Sequence, residues 1–271
     1  MGEFIQVVTE NSRGGTVAKV TINRPELHNA FNEVMIAELQ EAFASFNKTS
    51  EVRVVVLQTE GKSFCAGADL NWMKKMVDYT FEQNVDDAHV LAKMLKTIHD
   101  CPKPVIARVH GAAFGGGVGL IAACDMAIAV ESATFCLSEV KLGLLPAVIS
   151  PFVLKKIGST HARRYFLTAE RFTAAEAFRI GLISETVADV DALDAKIDGL
   201  IDVLMANGPE AVSQCKVLIE QVTHFGWDRA VDITTKMIAD RRISKEGQEG
   251  MKSFLEKRQP TWDHHLPATK G

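Results

Sequence analysis

The sequence predicts an α/β protein: a layered core of short strands and helices followed by a helical appendage. Two observations carry the prediction. β-branched apolar runs alternate with glycine-rich loops and helices through the first half, a rhythm of stacked sheet and helix layers rather than of a bundle. Beyond Pro151 the pattern turns almost wholly helical. On rhythm alone, a dinucleotide-binding α/β domain fits as well. The 271 residues suffice for one large domain or one and a half.

Residues 16–22 alternate apolar with polar, as a half-buried strand does, and Asn23-Arg-Pro25 turns the chain. Phe31, Met35, Leu39, Phe43 and Phe46 recur at helical spacing. Residues 53–57 are a β-branched run suited to a buried strand. A loop around Gly61 and Gly67 leads to a helix at 72–76, and another helix covers about 87–100, closed by Pro102 and Pro104. Residues 105–109 form the next buried strand, followed by a glycine loop and an apolar helix at 120–124. Residues 126–130 and 134–137 add two short strands. Thr173 with Glu176 has the signature of a capping box, starting a helix over 174–180 that stops at Gly181. Residues 183–187 are a brief strand; helices follow at about 192–205, 209–223, 228–239 and 244–257, limited by Pro260. The tail 263–271 is expected to be disordered.

Composition narrows the function. Hydrophobic residues make up 47% and charged residues 24%, and a net charge of −4 without a long basic run argues against nucleic-acid binding and a membrane-surface role. No stretch approaches the ~20 apolar residues of a membrane span. Met1-Gly-Glu-Phe-Ile-Gln lacks the basic start and apolar core of a signal peptide. Cys65, Cys101, Cys124, Cys136 and Cys215 are odd in number and form no C-x-x-C pair, which argues against a disulfide framework or structural zinc. A reduced cytoplasmic setting is expected, with Cys65 as core filler.

The most informative stretch is His110-Gly-Ala-Ala-Phe-Gly-Gly-Gly-Val-Gly119, in which five of ten residues are glycine. A strand running through glycines into a helix exposes N–H groups at a helix N-terminus, where negative charge is favoured. The spacing is neither G-x-G-x-x-G nor a P-loop, so a phosphate site is disfavoured; close strand–helix packing would also explain the glycines. In Ser63-Phe-Cys-Ala-Gly-Ala-Asp-Leu70, Gly67 permits an unusual backbone that would turn the Ala68 N–H outward, and Asp69 would fix the loop. Taken alone, this segment is equally an ordinary tight turn. Glu139 lies 139 − 119 = 20 residues after Gly119 in an otherwise apolar run. It is a surface or salt-bridged glutamate on local grounds, or an acid–base group if burial raises its pKa.

Together, Ala66-Gly-Ala-Asp69, Gly115-Gly-Gly117 and Ser138-Glu139, in this order and spacing, resemble the crotonase family of enoyl-CoA hydratases and isomerases. The resemblance covers nearly the whole chain, including Asn23-Arg-Pro25 and Phe254-Leu-Glu-Lys-Arg-Gln-Pro260. It implies a spiral of ββα units over residues 1–200, a C-terminal α-helical trimerisation region over 201–260 that caps CoA, and a tail over 261–271. The implied assembly is a homotrimer or a dimer of trimers, and the substrate an acyl-CoA thioester, with no further cofactor and no metal. The N–H groups of Ala68 and Gly116 would form the oxyanion hole, each such donor contributing roughly 2.7–4 kcal/mol to transition-state stabilisation. Glu139 would be the acid–base residue. Arg24, Ala66, Asp69, Leu70, Asn71, Gly115 and Gly119 would line the substrate path, with Phe254 and Lys257 reaching CoA from the last helix, often in a neighbouring subunit.

One departure sharpens the expectation. Two-glutamate hydratases of the family read Gly-Gly-Gly-Cys-Glu and use that glutamate to help activate water; here the matching residue is Gly119. Residues 65–73, 113–120 and 137–152 resemble the bacterial methylglutaconyl-CoA hydratases of leucine breakdown, which also carry glycine there. The isohexenylglutaconyl-CoA hydratases of acyclic terpene breakdown are similar. The expected function is therefore a hydro-lyase acting on 3-methylglutaconyl-CoA through an oxyanion hole and one glutamate. An isohexenylglutaconyl-CoA hydratase, a Δ3,Δ2-enoyl-CoA isomerase and a non-catalytic acyl-CoA-binding protein are the alternatives. Lys74 or Lys75 is a candidate partner for a second substrate carboxylate, though a plain surface lysine fits either position.

Overall fold

The computed structural model describes residues 2–12 and 14–263. The chain opens with β1 (Ile5–Ser12) and β2 (Gly15–Ile22), then α1 (Glu33–Ser45). Next come β3 (Val52–Thr59), β4 (Ser63–Cys65), α2 (Leu70–Met76) and α3 (Phe81–His99). The following unit is β5 (Val105–Val109), β6 (Ala112–Phe114) and α4 (Gly116–Ala123); after it come β7 (Met126–Val130), β8 (Thr134–Cys136) and α5 (Ser150–Thr168). The remainder is β9 (Phe172–Thr173), α6 (Ala174–Arg179), β10 (Glu185–Val187), α7 (Val190–Ala206), α8 (Pro209–His224), α9 (Trp227–Ile243) and α10 (Lys245–Leu255).

The strand pairs β3–β4, β5–β6 and β7–β8 each divide between two sheets. The first members join a six-stranded sheet of order β1-β2-β3-β5-β7-β10, and the second members a four-stranded sheet of order β4-β6-β8-β9. Pairing is parallel except for β1–β2 and β8–β9. Each ββα unit is thus one turn of a spiral, and the second strands carry the chain to the same end of the small sheet. Parallel strands in the interior must be apolar on both faces. Accordingly, Val54, Val55, Val56 and Leu57 of β3 and Val105, Ile106 and Ala107 of β5 are all buried.

Several elements differ from the sequence reading for identifiable reasons. β1 is an added edge strand whose side chains after Ile5 face outward, so it carries no apolar pattern. Phe31 precedes α1 rather than starting it; Asn32 is the cap and accepts the Met35 N–H at 2.8 Å. α3 begins six residues before the expected 87, at a capping box formed by Thr80 and Gln83. α5 has no expected counterpart: it contains Pro151 in its first turn and a left-handed Gly158 that kinks it. Thr173 caps α6, but Glu176 accepts hydrogen bonds from Tyr165 and Arg179 instead of closing the expected box.

The boundary expected at residue 200 falls inside α7. That helix lies across the large sheet to Ala206, burying Leu193, Ile197, Ile201 and Met205, so the core ends with the helix. The helical region beyond it is α8–α10. Residues 261–263 of the expected tail are placed: Trp262 Nε1 donates to Ala206 O at 3.2 Å. The rest of that tail lies outside the described residues. Among the described residues, no helix is long and apolar enough to cross a membrane.

Arg53 joins these parts. Its buried guanidinium donates to the carbonyls of Gly14 (2.8 Å), Met205 (3.3 Å) and Asn207 (2.6 Å), tying the β1–β2 hairpin to the end of α7. Arg53→Met leaves those carbonyls without their donor. The expected cost is about 2–5 kcal/mol, read as a lowered midpoint in urea with an unchanged slope.

Candidate active site

Three chain segments meet at the end of the small sheet: the turn before α2, the start of α4, and a short 3-10 turn at Glu139–Leu142. Gly67 brings the first two together. Its φ is +97°, and a Cβ on it would lie 3.2 Å from the carbonyl oxygen of Phe114, so only glycine fits without strain. Gly115, also left-handed at φ +50°, bends the chain from β6 into α4, and its N–H donates to Cys136 O at 2.8 Å.

Phe31 lies against both candidate donors, Ala68 and Gly116. Its N–H donates to Gly67 O at 2.7 Å and its carbonyl accepts the Asp69 N–H at 2.8 Å, a parallel bridge opposite Ala68. In that pattern the central residue turns its own N–H away from the bridging strand. The Ala68 N–H therefore faces away from Phe31, at an exposed position. The Phe31 ring lies against Gly116, where a Cβ would fall 2.8 Å from Cε2. Gly116 is the first residue of α4, so its N–H has no carbonyl one turn back and remains directed outward with the helix dipole.

Glu139 supplies the third group. Its Oε1 lies over Gly115, at 3.4 Å from where a Cβ would stand. Its Oε2 is out of contact with solvent and has no hydrogen-bond partner among the described residues. Burial pushes the carboxyl pKa up, only partly opposed by the residue's own backbone N–H. Two outward N–H donors at a helix start beside a proton-hungry carboxylate can polarise a carbonyl, stabilise the enolate that follows, and exchange a proton at the adjacent carbon.

Residues 12–265 match the Enoyl-CoA hydratase/isomerase family. The chain belongs to the enoyl-CoA hydratase/isomerase family. An enoyl-CoA hydratase structure from Shewanella pealeana shares 43% identity, with 96% of each chain covered and a TM-score of 0.91. Pseudomonas aeruginosa AtuE shares 34% identity over 95% of this chain and 99% of its own, with a TM-score of 0.90. Enoyl-CoA hydratase AKT6-1 of Alternaria alternata is 34% identical over 87% of this chain and 78% of its own.

Within this hydratase/isomerase fold, several residues expected on the substrate path do other work. Arg24 and Asp69 are buried against each other, Nη1 to Oδ2 at 2.7 Å, and Arg24 also donates to Ala30 O at 2.9 Å. Asp69 caps α2, accepting the N–H groups of Asn71 (2.6 Å) and Trp72 (3.2 Å). Burial alone would raise its pKa; those N–H groups and Arg24 outweigh it and hold the carboxyl below its ordinary range. The pair fixes the turn that carries Ala68 rather than facing a ligand. Gly119 is also buried, with Ile149 standing over it. Ala66, Leu70 and Asn71 are exposed beside Ala68, whereas Phe254, 83% exposed, and Lys257 sit at the end of α10, which packs on α8 and α9. Lys75 is paired with Glu33 at 2.7 Å, and Lys74 is exposed.

Sequence reasoning missed Phe31, Asn29 and Ile149. Asn29, buried at φ +56°, donates to the carbonyls of Glu60 and Ser63, both at 2.8 Å, and accepts the Arg24 N–H at 2.9 Å. The available signal was an asparagine just after Arg24-Pro25, since asparagine tolerates the left-handed region.

Asp69→Asn leaves Arg24 buried without a countercharge, at an expected cost of about 3–5 kcal/mol. Because the folded pKa of Asp69 is depressed, the wild-type advantage exists above the unfolded value of about 3.9 and is lost as pH falls through the folded one. Unfolding free energies of wild type and variant should therefore converge in acid and separate near neutral pH.

Proposed function

We propose that the protein hydrates 3-methylglutaconyl-CoA to 3-hydroxy-3-methylglutaryl-CoA, using Ala68, Gly116 and Glu139. Membership of the hydratase/isomerase family supplies the reaction class. The observation that carries the finer reading is the buried Glu139 carboxylate facing an α4 that bears no ionisable side chain. The thioester carbonyl accepts the two N–H groups, which draws electron density from the double bond and exposes Cβ to water. Water adds at Cβ, the electron pair moves to the oxyanion, and Glu139 delivers a proton to Cα. The proton released by the water passes to the substrate's own distal carboxylate, directly or through solvent, and returns to Glu139 after release. A substrate with a second carboxylate thus provides the group that Gly119 does not.

A second reading rests on the same lone carboxylate. A Δ3,Δ2-enoyl-CoA isomerase needs only one group, which removes a proton from one carbon and returns it to another. Assay of 3-methylglutaconyl-CoA, crotonyl-CoA and a trans-3-enoyl-CoA in parallel separates the two. The first substrate should turn over fastest; turnover of the third alone would establish the isomerase. Trimeric assembly through the C-terminal helices belongs to the same proposal, supported by exposed Trp227, Ile243, Phe254 and Leu255 on α9 and α10.

Glu139→Gln should lower turnover about 10²–10⁴-fold, and kcat/KM for hydration in the wild type, which needs Glu139 protonated, should fall as pH rises through a point above the ordinary glutamate value of about 4.3. Stability should respond in the opposite direction. A carboxyl whose folded pKa is raised costs stability as pH climbs past its unfolded value, and the cost is complete above the folded value. The variant should melt at or above the wild-type temperature near pH 8 and show no advantage near pH 4. Near-full hydratase activity in this variant would overturn the assignment.

A further inference from the structure

Gly115, which precedes α4, and Gly119 within it lie one turn apart, the Gly119 N–H reaching Gly115 O at 3.4 Å, and a side chain covers each. Glu139 lies over Gly115. Ile149 lies over Gly119, where a Cβ would fall 2.3 Å from Ile149 Cγ2 and 2.8 Å from its Cβ. The 3-10 turn that carries Glu139 packs against α5, at whose start Ile149 stands, so the two side chains come from adjoining elements over the start of α4. Ile149 is 3% exposed and caps the start of α5. We propose that Ile149 is a specificity-determining residue. Seated on Gly119, it fills the room beside Glu139 that a second polar group, and the water it would hold, needs. The site is thereby reserved for thioesters that bring their own second acid–base group. This inference rests on the reading of Glu139 given under Proposed function.

The surroundings of the carboxylate are consistent in kind. α4 contributes Gly, Val, Leu, Ile and Ala, none ionisable. The first turn of α5 offers only Ser150 as a polar side chain, and its hydroxyl donates to Ala147 O at 2.7 Å. On the 3-10 turn with Glu139 stands Lys141, and on β8 stands Cys136, whose thiol pKa is raised by burial. The Ser138 hydroxyl lies near Gly115, 3.7 Å from where a Cβ would be. A water needs about 30 Å³ and two to four polar partners. Ile149 occupies the space over Gly119 that such a water would take.

Ile149→Ala removes Cγ2 and opens that space; Ile149→Val keeps Cγ2; Ile149→Thr has the shape of valine with one methyl replaced by hydroxyl. Two readouts are taken on each variant. One is the acid limb of solvent exchange at Cα of butyryl-CoA, which probes Glu139 without hydration. The other is the ratio of crotonyl-CoA to 3-methylglutaconyl-CoA turnover. In Ile149→Ala the limb should move down by about one pH unit as Glu139 is solvated, and the ratio should rise about tenfold. Ile149→Val should move both less. If Ile149→Ala fails to fold, Ile149→Thr against Ile149→Val decides, the hydroxyl giving the lower limb and the higher ratio. An unmoved limb and ratio in folded Ile149→Ala, or threonine and valine variants that behave alike, would overturn the proposal. A shifted limb without wild-type turnover of 3-methylglutaconyl-CoA would remove the substrate reading and keep the role of Ile149. Equal exchange in wild type and Glu139→Gln would remove both.

Discussion

Phe31 is the contact on which the site depends. Its peptide group holds Gly67 and Asp69 on either side of Ala68, and its ring lies on Gly116. The two candidate donors come from segments 48 residues apart, by 116 − 68, and the proposed chemistry needs them to converge on one oxygen. Oxyanion stabilisation is lost when a donor is misplaced by a fraction of an ångström to an ångström. Phe31 is 1% exposed and belongs to the main hydrophobic cluster, so its position is set by close packing of the core. The spacing of these two N–H groups is in this way inherited from the core rather than from the loops that carry them. Arg24, Asp69 and Asn29 brace the same turn from behind.

The second constraint is that α4 presents bare backbone. Gly115, Gly116, Gly117 and Gly119 each meet a neighbour where a Cβ would stand: Glu139, Phe31, Cys65 and Ile149 respectively. These contacts let a carboxylate lie against a helix start with little water. Desolvation raises its affinity for protons, as the chemistry requires, and makes its ionised form costly to the fold. The same close approach leaves no room for a Cβ on Gly119 while Ile149 stands over it. The fold thus gives up some stability to hold one carboxyl whose proton affinity burial raises.

The layered α/β core, its principal strands and the C-terminal helices were legible in the sequence because burial imposes apolar periodicity on them. β1 was not, since its side chains after Ile5 face outward, and α5 was not, since proline and glycine interrupt its pattern. Within the site, glycine spacing and the family resemblance pointed to Ala68, Gly116 and Glu139. They did not reveal that Arg24 and Asp69, 45 residues apart by 69 − 24, would turn toward each other rather than toward a ligand. Nor did they reveal Ile149 above Gly119, because long-range packing partners leave no local periodicity.

Peptide N–H groups at Ala68 and Gly116 are proposed to polarise the thioester carbonyl independently of Glu139. Isotope-edited infrared spectroscopy of butyryl-CoA labelled with ¹³C at the thioester carbonyl tests it directly. The account predicts a carbonyl stretch at lower frequency in the complex than in solution, retained in Glu139→Gln. A bound carbonyl that absorbs at its solution frequency would contradict it.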